Sequence, residues 1–254
     1  QMLEKRYVAH KAINNNVNKR VLDKSPALDY YNSMGWDYEI MEWHTLYFGL
    51  FLIDTFKVDR TQCIDIGGYK GLFSSVYSRH FKEVHTFEPN PYAHVIAKLS
   101  FKRQELPNVT LHNTSLFSEE KETDFYIKFF DTDKKNISGQ SNTEKEVIQV
   151  DFEGENLHTE IIKIKTKTLD SYNFKPSFLK IDVEGANLDV IKGGWKTITT
   201  YKPFIQVEND AVLENNPIIE SMLKDIGYKK IDMKNYTHIY NGSWSMSDDY
   251  FIFA

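Results

Sequence analysis

The chain of 254 residues has one cysteine, Cys63, so no intrachain disulfide is possible. Its longest apolar stretch, residues 46–53, is far shorter than the roughly 20 residues of a membrane-spanning helix, and we expect a buried helix segment and no membrane insertion. The net charge of −5 lacks the basic excess typical of nucleic-acid-binding proteins, which argues against a nucleic-acid partner. The first ten residues lack the apolar core of a signal peptide, and together with the single cysteine this favours a cytoplasmic protein.

Two widespread nucleotide-binding motifs are also missing. The sequence contains neither the GxGxxG of dinucleotide sites nor a Walker lysine pattern, and it has no CxxC or HExxH spacing for a metal. What it has is the segment Asp65-Ile66-Gly67-Gly68-Tyr69-Lys70-Gly71, directly after a short apolar run. Glycines in this position let the backbone turn sharply and let a ligand approach it closely. A tight strand–helix turn that binds no ligand is the alternative.

Apolar runs and helical periodicities alternate along most of the chain. Because strands separated by helices form parallel sheets with right-handed crossovers, this pattern predicts an α/β fold. Residues 117–170 interrupt the alternation with strands at 124–130, 147–152 and 161–168 and a polar loop at 131–145, which predicts a β-rich insertion. We divide the chain into an N-terminal helical extension, residues 1–60, and a main domain, residues 61–254. The predicted sheet strands cover residues 62–66, 84–87, 108–116, 178–183, 203–207, 228–233 and 250–253.

Three helices between these strands have periodic apolar positions that predict their inward faces. Pro91 suits the first position of the earliest helix, because its missing N–H costs no hydrogen bond there. The predicted inward residues are Val95, Ile96 and Leu99 in that helix, Leu188, Ile191, Trp195 and Ile198 in the second, and Ile218, Ile219, Met222 and Ile226 in the third.

Acidic side chains follow three of the predicted strands. Glu88 ends the second strand, where a carboxylate can accept hydrogen bonds from both hydroxyls of an adenosine ribose. A surface carboxylate favoured by the dipole of the next helix is the alternative. Asp182 and Glu184 follow the strand at 178–183, and Glu208 and Asn209 follow the strand at 203–207. Ligands bind outside the carboxyl ends of such strands, although a helix cap for Glu184 and a polar loop at 208–210 are possible.

These segments together resemble the FkbM family of methyltransferases. The matching pieces are DIGGYKG at 65–71, FEPNP at 87–91, HNTSLFSEE at 112–120, TLDSY at 168–172, KIDVEGANLDVIKGG at 180–194 and KPFIQVEND at 202–210. The resemblance implies a Rossmann-like class I methyltransferase fold, with a seven-stranded, mostly parallel sheet in the order 3-2-1-4-5-7-6. It also implies S-adenosylmethionine as methyl donor and O-methylation of a hydroxyl on a sugar, glycan or related small molecule.

The resemblance also assigns roles to individual residues. Asp65, Gly67 and Gly71 match the family's donor turn, and Glu88 matches its ribose acceptor. This chain departs from the family at Gly68-Tyr69, where Ala-Asn is usual, and at Asn187, where an acidic residue is usual. The residues expected to bind the donor are Asp65, Gly67, Gly68, Tyr69, Gly71, Glu88, Pro89, Asn90 and Ser115.

Methyl transfer to a sugar hydroxyl needs a base or a metal ion, because the hydroxyl is a poor nucleophile near neutral pH. Asp182 and Glu184 are the candidate bases. A magnesium ion held by Asp182, Glu208 and Asn209 is a second hypothesis. Two other functions stay open: a transferase or oxidoreductase that uses another nucleotide cofactor, and a non-catalytic binding module that keeps the fold.

Overall fold

The computed structural model describes residues 40–129, 158–209, 215–236 and 248–254. Its helices are α1 (Ile40–Thr55), α2 (Leu72–Tyr77), α3 (Pro91–Arg103), α4 (Asn187–Gly193), α5 (Trp195–Tyr201) and α6 (Asn215–Asp225), with 3-10 turns at Leu169–Tyr172 and Met233–Tyr236. Its strands are β1 (Gln62–Ile66), β2 (Glu83–Phe87), β3 (Val109–His112), β4 (Ser115–Leu116), β5 (Glu122–Phe129), β6 (His158–Lys167), β7 (Phe178–Ile181), β8 (Phe204–Glu208), β9 (Tyr228–Lys230) and β10 (Asp248–Phe253).

Seven of these strands form one sheet in the order β3-β2-β1-β7-β8-β10-β9. Numbered within the sheet, this is the predicted order 3-2-1-4-5-7-6, which the structure confirms. β10 is antiparallel to both of its neighbours, and the other paired strands are parallel. The carboxyl ends of β1, β2, β7 and β8 therefore meet at one edge of the sheet, and their following residues lie close together.

A second, three-stranded sheet has the order β4-β6-β5, with β5 and β6 antiparallel over eight residue pairs. The single strand predicted at 108–116 is wrong, because the chain changes sheets within it. β3 pairs with β2 only as far as His112, opposite the last residue of β2, and Ser115 then pairs with Thr166 of β6. The strands predicted at 124–130 and 161–168 correspond to β5 and β6, whereas residues 131–145 and 147–152 lie outside the described residues.

Of the three residues predicted to face inward from α3, only Ile96 is partly buried, where it packs against the apolar residues of β5. Val95 is 55% exposed and Leu99 is 50% exposed. The helix instead buries Ala97 and Phe101, because it packs directly on the turn at Gly71, where an added Cβ would lie 2.6 Å from the Phe101 ring and 3.3 Å from the Ala97 Cβ. This close approach accepts small side chains, and the buried residues of α3 are Ala93, Ala97, Ser100 and Phe101.

The other predicted helix faces are largely confirmed. In α6, Ile219 is fully buried, but Ile218 is 49% exposed and Leu223 is buried in its place. The helix predicted around residues 188–198 is two helices, because α4 ends at Gly193 and α5 begins at Trp195. Its predicted inward residues all belong to one apolar cluster on the same face of the sheet: Leu188, Ile191, Trp195 and Ile198.

Helix α1 packs on the opposite face of the sheet. A Cβ at Gly49 would lie 3.0 Å from Gln206 Oε1 and 3.3 Å from the Tyr77 hydroxyl, so the helix backbone lies close to the strands. The Tyr250 hydroxyl donates to the Thr45 carbonyl at 3.0 Å. The predicted burial of the apolar stretch at 46–53 is confirmed for Leu46, Phe48, Leu50, Leu52 and Ile53. Within the described part of the chain, none of the helices has the length and apolar character needed to cross a bilayer.

Candidate functional site

The glycine bend lies between β1 and α2 and is tied to the end of β2. The backbone N–H groups of Gly67 and Gly68 both donate to the Phe87 carbonyl at 3.0 Å. Gly67 has a φ of 86°, and a Cβ there would lie 1.7 Å from the Asp182 carbonyl oxygen. At Gly68, a Cβ would lie 2.2 Å from Thr86 Cγ2. The bend therefore requires glycine at both positions, since β2 and β7 pack directly against it.

Tyr69 follows the bend with left-handed backbone geometry, φ 45°. This conformation is costly for a tyrosine and directs its backbone N–H to the side chain of Glu88, with a donor–acceptor distance of 2.7 Å. The half-buried ring packs with Phe125, Ile127 and Phe129 of β5. Tyr69 thus connects the bend to the second sheet.

Glu88 is fixed at the carboxyl end of β2 by two short hydrogen bonds. Its Oε1 accepts the Asn90 backbone N–H at 2.7 Å, and its Oε2 accepts the Tyr69 N–H at 2.7 Å. The residue is only 6% exposed, and burial raises the pKa of its carboxyl from 4.5 to about 7, against the effect of the two backbone hydrogen bonds. Each carboxylate oxygen has two lone pairs, so each keeps a position for one further donor, which fits the two hydroxyls of a ribose.

Asn90 and Pro89 lie beside Glu88, and Ser115 lies in the second sheet. The Asn90 side chain caps α3 by accepting the backbone N–H groups of Tyr92 at 3.0 Å and Ala93 at 3.4 Å. Ser115 is buried in β4, where it pairs with β6. The structure therefore gives Asn90 and Ser115 structural roles, and their contacts with a donor stay predictions.

Asp65 lies beneath the glycine bend with no exposed surface. Its Oδ2 accepts a hydrogen bond from the Ser74 hydroxyl at 2.6 Å, and its Oδ1 lies 3.7 Å from the Lys180 ammonium. Burial raises the pKa of the carboxyl, and Lys180 and Ser74 oppose that shift. A side chain in this position supports the bend from below, so its predicted contact with a donor would be through the bend.

Lys180, Asp182 and Glu208 form a charged group at the ends of β7 and β8. The Lys180 ammonium is buried and lies 2.7 Å from Asp182 Oδ2. Burial alone would raise the pKa of the Asp182 carboxyl. The positive charge of Lys180 and the hydrogen bonds from Glu208 and Lys180 outweigh that effect and hold the pKa below its usual value. The charge on Asp182, together with burial, raises the pKa of Glu208 well above its usual value. The neighbourhood therefore favours the ionised form of Asp182 and the protonated form of Glu208.

Sequence reasoning missed Lys180, although a lysine inside the apolar run FLKI was the available signal. Glu184 lies half-buried in the turn after β7, where its charge contributes to the raised pKa of Glu208.

Asn187 joins the carboxyl ends of β7 and β8. Its Oδ1 accepts the Val183 backbone N–H at 3.0 Å, and its Nδ2 donates to the Glu208 carbonyl at 3.2 Å.

Two of the three ligands proposed for magnesium, Asp182 and Glu208, already have other partners. Asp182 binds Lys180 and Glu208, and Asn209 is exposed. Among residues 40–129, 158–209, 215–236 and 248–254, no three His, Cys, Asp or Glu side chains are grouped so that they could hold a metal ion. The geometry therefore gives the magnesium hypothesis no support.

The strand order, the glycine bend after β1 and the acidic residue after β2 define the class I methyltransferase fold. One solved structure with a TM-score above 0.5 agrees with this fold. A candidate O-methyltransferase from Klebsiella pneumoniae aligns with 100% of this chain and 99% of its own length, with 11% identity and a TM-score of 0.54. The methyltransferase FkbM from Methylobacillus flagellatus aligns with 97% of this chain, with 15% identity and a TM-score of 0.49. The alignment spans 59% of the Methylobacillus protein.

The family follows from the sequence of the chain itself. Residues 65–230 match the Methyltransferase FkbM domain, which is more than half of the chain. This protein therefore belongs to the FkbM methyltransferase family, and membership implies S-adenosylmethionine as the methyl donor. No curated protein matches the sequence at a significant level.

Proposed function

We propose that this protein transfers the methyl group of S-adenosylmethionine to a hydroxyl of a sugar, glycan or related small molecule. The observation that carries the proposal is the position of Glu88. Two backbone N–H groups, each 2.7 Å away, hold its buried carboxylate beside the glycine bend. A carboxylate fixed in this way accepts a vicinal diol without losing side-chain freedom on binding.

The donor would lie across the bend, with its ribose hydroxyls on Glu88. When bound, S-adenosylmethionine supplies a methyl group on a positively charged sulfur. An oxygen nucleophile can attack that methyl carbon, and the sulfur then leaves as a neutral thioether. Gly67 and Gly68 let the bend turn tightly against Asp182 and Thr86, and Tyr69 would line the adenosine end. The predicted contacts of Pro89, Asn90 and Ser115 belong to the same proposal.

Asp182 is the better placed of the two candidate bases. Its side chain is 32% exposed at the end of β7, and its pKa is held low, so it is ionised near neutral pH. It would take the proton of the acceptor hydroxyl while the new C–O bond forms and the methyl–sulfur bond breaks. A low pKa makes Asp182 a weak base, so we assign it mainly to orienting the hydroxyl and receiving its proton late in the transfer. Glu184 stays the alternative base.

One calorimetric comparison tests the donor. S-adenosylhomocysteine and NAD are titrated separately into the purified protein. We expect binding of S-adenosylhomocysteine alone, and binding of NAD alone would favour an enzyme with another nucleotide cofactor.

A turnover assay then tests the reaction. The protein is incubated with S-adenosylmethionine and a panel of methyl glycosides, and formation of S-adenosylhomocysteine is measured. Donor binding without turnover on any hydroxylated acceptor would favour the non-catalytic module.

A further inference from the structure

A polar pocket of about 480 Å³ opens beside the carboxyl end of β8. Its size is within the range of about 300–1,000 Å³ that small-molecule sites usually have. Helix α6 forms one side, and β9 and β10 form the other. The residues that line it include Asn209, Asn216, Ser221, Lys224, Lys230 and Asp249.

One residue that lines the pocket carries a buried hydrogen-bond acceptor without a partner. Asn216 is 6% exposed, and its Oδ1 has no hydrogen-bond partner among the residues that the structure describes. The orientation of this amide is fixed by its other atom, because Nδ2 donates to the Glu208 carbonyl at 3.3 Å and to Asp249 Oδ2 at 3.1 Å. Both of those neighbours are acceptors, so a flipped amide would face them with oxygen. A buried amide oxygen without a partner is costly, and a ligand that donates to it would remove this cost.

The charges around the pocket are balanced. Lys230 lies 2.9 Å from Asp249 and 3.1 Å from Glu220, and Lys224 adds a second ammonium. Two ammonium groups thus face two carboxylates. A phosphate or sulfate would lie against the carboxylates of Asp249 and Glu220, and a sulfate would have no hydrogen to donate to Asn216. An organic cation could donate to Asn216 but would lie beside both lysines.

A neutral molecule with several hydroxyls satisfies all of these groups. Each hydroxyl can donate to Asn216 or to a carboxylate and can accept from an ammonium. We propose that this pocket binds a neutral sugar unit, with one of its hydroxyls donating to Asn216 Oδ1. The inference rests on the proposed O-methylation, because it names the part of the acceptor that the protein would hold.

The pocket is also joined to the proposed reaction site. The Glu208 carbonyl accepts from Asn216 Nδ2 on the pocket side and from Asn187 Nδ2 on the side of the turn after β7. The Glu208 carboxyl pairs with Asp182, and the next residue, Asn209, lines the pocket, so the pocket begins one residue from that pair. We therefore expect the methylated hydroxyl to belong to the bound sugar or to a unit attached to it.

Ligand-observed saturation-transfer NMR tests the proposal without any methyl donor. The probes are methyl glucopyranoside, methyl mannopyranoside and glucose 6-phosphate. We expect a signal from at least one neutral glycoside, and its loss in Ser221→Trp, since Ser221 is exposed on α6 and an indole there would fill the pocket. Ile218→Trp is the matched control, because Ile218 is 49% exposed on the same helix and does not line the pocket.

The Asn216→Ala variant tests the acceptor itself and should also lose the signal. Because it removes two donors from buried neighbours, it can unfold, and Ser221→Trp keeps the test independent of that outcome. Binding of S-adenosylhomocysteine is measured in every variant as a check of the donor site.

The outcomes separate the two proposals. Loss of glycoside signal in Ser221→Trp but not in Ile218→Trp supports the sugar pocket. The sugar pocket is overturned if no neutral glycoside binds, if Ser221→Trp keeps full signal, or if only the sugar phosphate binds. Absence of S-adenosylhomocysteine binding in the wild-type protein would instead overturn the proposed methyl transfer, whatever the glycosides do.

Discussion

The Tyr69 backbone N–H lies 2.7 Å from Glu88 Oε2, and this hydrogen bond links the glycine bend after β1 to the acidic end of β2. Both partners are in unfavourable states without a ligand. Tyr69 has a left-handed backbone, and Glu88 is buried with a raised pKa. A ligand that donates to Glu88 would stabilise its charged form and strengthen the bond to Tyr69.

Replacing Glu88 should weaken donor binding. In Glu88→Gln the side chain keeps its size but loses its charge. Only one of its two terminal atoms can then accept hydrogen bonds, because the other is an NH2 group. We expect the Kd for S-adenosylhomocysteine to rise at least about tenfold, which corresponds to about 1.4 kcal/mol. The measurement is isothermal titration calorimetry, with Glu83→Gln at the exposed start of the same strand as control. Unchanged affinity in Glu88→Gln would contradict the proposed donor site.

The raised pKa of Glu88 makes donor binding dependent on pH. The folded-state pKa of about 7 lies above the ordinary 4.5, so the contribution of Glu88 to ligand-free stability is full below 4.5 and is lost as pH rises through 7. The donor favours the charged form, so its binding weakens below pH 7. The increase in melting temperature caused by S-adenosylhomocysteine should therefore be larger at about pH 8 than at about pH 6.

Glu88→Gln is the control for this titration, because glutamine has no proton to lose. Its ligand-induced increase in melting temperature should vary less between the two pH values. An equal increase at both pH values in the wild-type protein would show that Glu88 does not couple to the donor.

The packing of Gly68 predicts a rescue by a second mutation. In Gly68→Ala, the new Cβ would lie 2.2 Å from Thr86 Cγ2, and we expect destabilisation of about 1–3 kcal/mol. Thr86→Ser removes that methyl group and keeps the hydroxyl that lies 2.5 Å from Ser74 Oγ. The double variant should therefore be more stable to urea than Gly68→Ala alone.

Gly67→Ala is the matched comparison. Its Cβ would meet the Asp182 backbone carbonyl at 1.7 Å and its φ is 86°, so Thr86→Ser should not rescue it. Equal rescue of both alanine variants would mean that the bend relaxes in some other way.

Asp182 and Glu184 should differ in their effects on turnover. Asp182→Asn removes the ionised group between Lys180 and Glu208, and we expect turnover to fall about 100-fold or more. Glu184→Gln should lower turnover by less than about tenfold if Asp182 receives the proton. S-adenosylhomocysteine formation at saturating donor and acceptor gives the rates, and calorimetry confirms that both variants bind the donor. A larger loss in Glu184→Gln would move the base to Glu184.

Chelation tests the magnesium hypothesis. Because Lys180 and Glu208 already bind Asp182, we expect turnover to be unchanged after prolonged dialysis against EDTA. Recovery of lost turnover by added Mg²⁺, but not by Ca²⁺, would instead establish a metal role at these strand ends.

The sequence predicted the fold better than it predicted packing. The alternation of strands and helices predicted an α/β sheet, and the resemblance to the FkbM family implied the order of its strands. The motifs that carry both are local in the sequence. The inward face of α3 was mispredicted because bulky Val95 and Leu99 gave the stronger apolar signal. The helix approaches Gly71 so closely that Ala97 fits there better, and this distance is a property of the tertiary structure.

The candidate site likewise combines features that are local in the sequence with features that only the tertiary structure creates. The motifs gave the bend, Glu88 and Asp182, because these residues follow predicted strands. They did not give the contact of Lys180 with Asp65 or the contacts of Asn216, since both depend on neighbours distant in the sequence. Asn216 lies 33 residues from Asp249, and only the pairing of β8 with β10 brings them together.

The contact of α1 at Gly49 has a practical consequence for expression of the protein. A recombinant fragment that started at residue 61 would begin neatly before β1, but it would leave the rings of Tyr77 and Tyr250 uncovered and would deprive the Tyr250 hydroxyl of its acceptor at Thr45. Such a fragment should be prone to aggregate, whereas one that starts before residue 40 retains the helix that shields this aromatic surface.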